Sequence, residues 1–153
     1  MTRTVVHDTF TLERTYPASP AQVFAAFSDL ETKRRWFAGS DEWVSAVEHT
    51  LDFRVGGRER EASGPPGGPV HGFDAIYHDI VADARIVYSY TMSVDDQRVS
   101  VSLTTVELTA GTDGTNLHHT EHGAYFDGAD GPELRRNGWG GLLDALAAVL
   151  DQK

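Results

Sequence analysis

The spacing of hydrophobic and polar positions changes along the chain, from alternating to helical, back to alternating for most of its length, and helical again at the end. In residues 4–15, Val6, Phe10 and Leu12 alternate with Thr9, Thr11 and Glu13, which predicts a half-buried strand. A helix is predicted to open at Ser19-Pro20-Ala21-Gln22. Ser19 is placed to cap it, Pro20 suits the first turn, and Gln22 completes a capping box. Val23, Phe24 and Phe27 form its apolar side. Asp29 is placed to cap a second short helix through Trp36 and Phe37, which Gly39 would end.

Residues 43–55 read as extended, with Gly56-Gly57 turning the chain tightly into 58–62. Residues 63–69, SGPPGGP, sustain neither helix nor sheet and read as a hairpin loop. Strands are predicted at 70–81, 85–93, 97–109 and 115–124, divided by turns at Asp83-Ala84, Asp95-Asp96 and Gly111–Gly114. Turns this short imply antiparallel neighbours. The last element is a helix over 132–151, with Trp139, Leu142, Leu143, Leu146, Val149 and Leu150 on one stripe and Pro132 and Glu133 in its first turn. One long helix after many strands needs a sheet to bury its stripe. The pattern therefore predicts an α+β domain spanning 1–153, with a curved antiparallel sheet wrapped around the C-terminal helix and two short helices after the first strand.

Composition narrows the function. The 153 residues are 40% hydrophobic and 24% charged, ordinary for a globular protein. No apolar run approaches the roughly 20 residues of a membrane span. The start, MTRTVVHDTF, lacks the regions of a secretory signal, so a cytoplasmic protein is expected. The absence of Cys excludes disulfides, a thiolate nucleophile and Cys-built metal sites. With 13 basic against 23 acidic side chains the net charge is −10, which repels phosphate backbones and argues against nucleic acid as a partner. The one basic cluster, Lys33-Arg34-Arg35, reads as a solvated face.

The order of elements resembles the helix-grip fold of the START-like, or SRPBCC, superfamily. Within it, FRVGGRER (53–60), VHGFDAIYHDIV (70–81), RIVYSYTM (85–92), TEHGAYFDG (120–128) and GWGGLLDAL (138–146) are similar to bacterial proteins grouped with the C-terminal domain of the heat-shock-protein-90 ATPase activator. That resemblance implies a largely apolar and aromatic cavity between sheet and long helix. Relatives of this fold bind lipids, sterols, polyketides or plant hormones, and a few are cyclases or hydrolases. The co-chaperone that names the grouping has an additional N-terminal domain, for which this chain leaves no room, so its ATPase-activator role is not expected to carry over.

Candidate cavity residues follow from strand and helix parity. Ile86, Tyr88, Tyr90 and Met92 share one face of their strand, and Val99, Val101 and Leu103 share one face of the next. Joined, these faces would make a concave wall carrying two phenols, either as orientation points for a ligand or as core residues. Trp36, Phe37, Trp43 and Phe53 are candidates from the first half of the chain, as a lid or as anchors. Trp139, Leu142 and Leu143 are candidates from the last helix. Arg54, Arg58 and Arg60 share a parity, which places them either all outward or with Arg54 turned in to pair with an acid. Gly138, Gly140 and Gly141 either let the sheet approach the helix or weaken its first turns.

The run His118-His119-Thr120-Glu121-His122 raises the question of a metal, and alternation answers against one. His118 and His122 share a face but stand roughly 13 Å apart in an extended strand, and His119 and Glu121 supply only two ligands on the other. Leu117 shares the parity of His119 and Glu121 and places them inward. They are either a polar anchor or general base in the cavity, or a solvated brace near its mouth. The leading expectation is a cofactor-free binder of a small apolar or aromatic molecule, acting as a monomer or homodimer. The alternatives are a cyclase or hydrolase using His119 and Glu121 as acid and base, and a chaperone-partner module.

Overall fold

The computed structural model describes residues 3–37 and 42–151. Gly39, the expected end of the second helix, lies outside them. In chain order the elements are β1 (Val5–Tyr16), α1 (Pro20–Ser28), α2 (Leu30–Phe37), β2 (Val44–Leu51), β3 (Arg58–Gly64), β4 (His71–Val81), β5 (Arg85–Val94), β6 (Gln97–Gly111), β7 (Gly114–Phe126) and α3 (Pro132–Leu150).

Local chemistry explains the boundaries. At α1 the Gln22 amide donates to Ser19 Oγ at 3.2 Å and the Ser19 amide donates to Gln22 Oε1 at 2.9 Å, so the capping box is complete. Asp29 caps α2, accepting from the Thr32 amide at 3.1 Å and its hydroxyl at 2.6 Å. Asp95 and Asp96 both take positive φ, the geometry that closes a two-residue hairpin between β5 and β6. The turn at Gly56-Gly57 is wider than its sequence suggests. β2 stops at Leu51, and the loop that follows docks on β4, with the Gly56 amide donating to the Tyr77 carbonyl at 2.8 Å.

The strands form one antiparallel sheet in the order β1-β7-β6-β5-β4-β3-β2, so β1 returns along the last strand. Helix α3 lies over its inner face. Leu143 and Leu146 are fully buried among Tyr16, Phe27 and Trp36, and the Tyr16 hydroxyl donates to the Leu143 carbonyl at 2.9 Å. Leu142 and Leu150 are only partly covered. This is the α+β helix-grip arrangement. Among the described residues no helix is long and apolar enough to cross a membrane.

Candidate functional site

A cavity of about 280 Å³ opens between β3, β4 and β5, the end of α2 and the first half of α3. Strand parity aims Glu61 and Ser63 from β3, His71 and Phe73 from β4, and Tyr90 and Met92 from β5 at this space. Helical spacing brings Leu134, Arg135, Gly138, Trp139 and Leu142 to it from the other side, with Phe37, Trp43 and Asp130 at the margins. The rings interlock, with Phe37 and Phe73 centred 4.8 Å apart, Phe73 and Tyr90 4.9 Å apart, and Trp43 stacked on His71 at 5.0 Å.

A polar layer lies beneath this cavity. Glu121 is fully buried and accepts from the Tyr90 hydroxyl at 2.7 Å and from Thr104 Oγ1 at 3.0 Å, with His119 Nε2 at 3.2 Å. Tyr90 also accepts from Arg135 Nη1 at 2.9 Å and from Trp139 Nε1 at 3.0 Å. Arg135 donates further to Ser102 at 3.4 Å and Ser100 at 2.6 Å, and it pairs with Asp130. Burial, then the Glu121 charge, pushes the Tyr90 phenol far above its usual range, which keeps it a donor. A carboxylate only accepts, so His119 donates from Nε2. Its Nδ1 is buried and meets no hydrogen-bond partner among the described residues.

A second buried cluster ties α2 to the sheet. Glu59 accepts from Lys33 Nζ at 2.6 Å and from the Tyr77 hydroxyl at 2.5 Å, and meets His49 Nε2 at 2.7 Å. Burial alone would raise the Glu59 carboxyl. The Lys33 charge and the hydrogen bonds from His49, Lys33 and Tyr77 outweigh burial and hold it at about 2.

The structure sorts the residues expected from sequence. Phe37, Trp43, Tyr90, Trp139 and Leu142 line the cavity. Trp36, Tyr88 and Leu143 are buried in the core behind it, and Phe53 packs between Phe24 and Tyr77. His119 and Glu121 do point inward with Leu117, but they sit under the Tyr90–Arg135–Trp139 layer and not on the cavity surface.

Val101 and Leu103 are a correction. They lie on the outer face, 39% and 43% exposed, while Ser100, Ser102 and Thr104 are buried. Arg135 and Glu121 need hydroxyl partners, so the polar side of β6 turns inward. Lys33 is a second correction. It is 2% exposed, its stem directed inward with Trp36 and Phe37, and its charge is matched by Glu59. Arg54 stays at the surface on Asp52, and the arginine that reaches Glu121 is Arg135. A Cβ added at Gly138 or Gly141 would meet nothing within 4 Å, so close approach of the sheet does not explain those glycines.

Arg135 was legible in one respect. It stands four residues before Trp139, on the same helical stripe, as Glu59 shares strand parity with Glu61 and Ser63. Among the described residues no group of three or more His, Cys, Asp or Glu side chains is arranged to hold a metal.

The family model described as Activator of Hsp90 ATPase homolog 1-like protein matches residues 17–151. The chain belongs to that family. A solved protein of Rhizobium leguminosarum is 40% identical over 100% of both chains, with a TM-score of 0.93. One from Rhizobium loti is 52% identical over 95% of this chain and 99% of its own, with a TM-score of 0.87. An AHSA1-like protein of Aeromonas hydrophila shares the fold at 21% identity, covering 95% of this chain and 97% of its own with a TM-score of 0.70. No curated protein matches the chain in sequence. Membership in the Activator of Hsp90 ATPase homolog 1-like family establishes the architecture around the cavity, and the chemistry must be argued from the cavity itself.

Proposed function

We propose that this protein binds a small, mainly apolar and aromatic molecule, without a cofactor, in the cavity between β3–β5 and α3. The observation that carries this reading is a concave space walled by Phe37, Trp43, Phe73, Tyr90 and Trp139, with a few polar groups at its margins. Its volume of about 280 Å³ is slightly below the usual range of about 300–1,000 Å³, which favours a compact molecule over a long-chain lipid. The acid–base alternative is less well supported. His119 and Glu121 are both fully buried, and the Glu121 oxygens are already engaged by protein donors.

Titration with phenylnaphthylamine, a neutral fluorophore, tests the reading. The probe should bind the native protein, alter the emission of the wall residues Trp43 and Trp139, and stabilise the fold by RT ln(1 + [L]/Kd), which raises the melting temperature. Gly138→Leu separates occupancy from folding. The new side chain enters the open space beside the cavity, while removing a mid-helix glycine favours the helix by roughly 0.5–1 kcal/mol. Probe affinity should fall by about tenfold or more with the melting temperature kept or raised. Equal affinity in the two proteins would place the probe elsewhere and sink the reading.

A further inference from the structure

The polar groups of the cavity bear on the charge of its occupant. Resting on the reading of this cavity as a ligand site, we infer that it prefers an organic cation, an amine or quaternary ammonium carried on a compact apolar or aromatic body. Three observations converge on this.

The first is the fate of Arg135, the one guanidinium in the wall. Its Nη1 donates to Tyr90 and Ser102, and its Nη2 donates to Ser100 and Asp130. Those contacts use its four terminal N–H groups, so an incoming carboxylate or phosphate could take only Nε–H without displacing one of them. Its charge is likewise matched, by Asp130 in contact and by Glu121 at 3.7 Å. An anionic ligand held by two N–H groups of Arg135 would displace a bond that the fold already makes.

The second is Glu61. It lines the cavity from β3, and the cations close to it in the chain are engaged elsewhere. Arg58 and Arg60 pair with Asp74, while Lys33 and His49 meet Glu59. Burial pushes the Glu61 carboxyl upward, against the Ser63 hydrogen bond and the nearby His49 and His71, and no Lys or Arg among the described residues pairs with it in contact. On the cavity surface Glu61 and Asp130 stand against Arg135 among the described residues, with Glu121 in the layer beneath and His49 and His71 near Glu61. The whole chain, at −10, adds a field of the same sign that draws cations toward the cleft.

The third is the aromatic lining. Aromatic faces are the apolar surface on which a desolvated cation is least penalised, tryptophan most of all. The protein uses two of these rings for its own cations. Lys33 Nζ lies 4.6 Å from the Phe37 ring centre, and the Arg135 guanidinium carbon lies 5.4 Å from that of Tyr90. Trp43, Phe73 and Trp139 present further rings to the same space.

The test uses one aromatic body with three charges: naphthylmethylamine as cation, naphthylmethanol as neutral partner and naphthoate as anion, each displacing phenylnaphthylamine from the full-length protein at neutral pH. The amine should bind about tenfold more tightly than the alcohol, the sum of a charge-assisted contact and cation–π attraction, with naphthoate weakest. Glu61→Gln should shrink the amine-to-alcohol ratio severalfold, with circular dichroism confirming the fold. The wild-type ratio decides the matter without the variant. If amine and alcohol displace the probe equally, or naphthoate displaces it best, the cation preference is overturned while the cavity remains a ligand site. If none of the three displaces it and Gly138→Leu still binds it, both readings fall together.

Discussion

The Tyr90 hydroxyl donates to Glu121 at 2.7 Å, and that bond joins the cavity wall to the polar layer under it. The same oxygen accepts from Arg135 and from Trp139, so a single atom organises three buried partners. Tyr90→Phe takes the hydrogen bond from one oxygen of Glu121, from a guanidinium N–H and from an indole N–H together. It should cost at least about 2 kcal/mol in a denaturant titration, because each buried group left unpaired costs about 1–3 kcal/mol. A loss below about 0.5 kcal/mol would mean that water replaces the hydroxyl without penalty.

Lys33→Met should be among the most damaging changes to α2. It leaves Glu59 charged and buried, a situation that costs about 3–5 kcal/mol. Adding Glu59→Gln should recover part of the loss, since a neutral amide no longer demands a cation. Strictly additive effects of the two substitutions would show that the side chains are not coupled.

Acid stability should carry the imprint of Glu59. Its folded-state value of about 2 lies below the ordinary 4.5, so its stabilisation is fully present above about pH 4.5 and is lost as pH falls toward 2. The amount at stake is on the order of 3 kcal/mol. Unfolding free energies measured across that window should fall less steeply for Glu59→Gln than for the native chain. Identical slopes would assign the acid sensitivity to other carboxylates.

Two leucines of α3 offer a matched comparison. Leu143 is fully buried and Leu134 is 69% exposed. Leu143→Ala should cost about 2–5 kcal/mol through lost burial and the cavity left behind. Leu134→Ala should stay within about 0.5 kcal/mol. Comparable losses at both sites would require a different seating of the helix.

The sequence was most readable where one local rule acted alone. The Ser19–Gln22 box, the Asp29 cap and the stripe around Leu143 each announce their element. It was least readable where buried polar groups overturned the apolar-inside rule. On β6 the inward positions are Ser100, Ser102 and Thr104, because they serve Arg135 and Glu121 from other elements, and the apolar Val101 and Leu103 take the open face. Lys33 misled for the same reason. A lysine within a basic run signals solvent, and its partner Glu59 lies 26 residues away, beyond the reach of any helical or strand period. The aromatic cavity residues could be nominated from parity, but the split between its surface and the layer beneath depends on tertiary packing.

The glycines of α3 give the two halves of that helix different mechanics. Its N-cap, Gly131, contributes no side-chain hydrogen bond, and Gly138, Gly140 and Gly141 each cost about 1 kcal/mol of helix propensity relative to alanine. Beyond them, Leu143, Leu146 and Val149 clamp the remaining turns into the core. By backbone propensity the turns over 138–141 are thus the weakest of the helix, and side-chain bonds from Arg135 and Trp139 fasten that half to the sheet. Amide protons over 137–141 should exchange with solvent sooner than those over 143–149, and an occupied cavity should slow them. Slower exchange over 137–141 in the occupied protein would mark those turns as the part of the wall that a bound molecule holds in place.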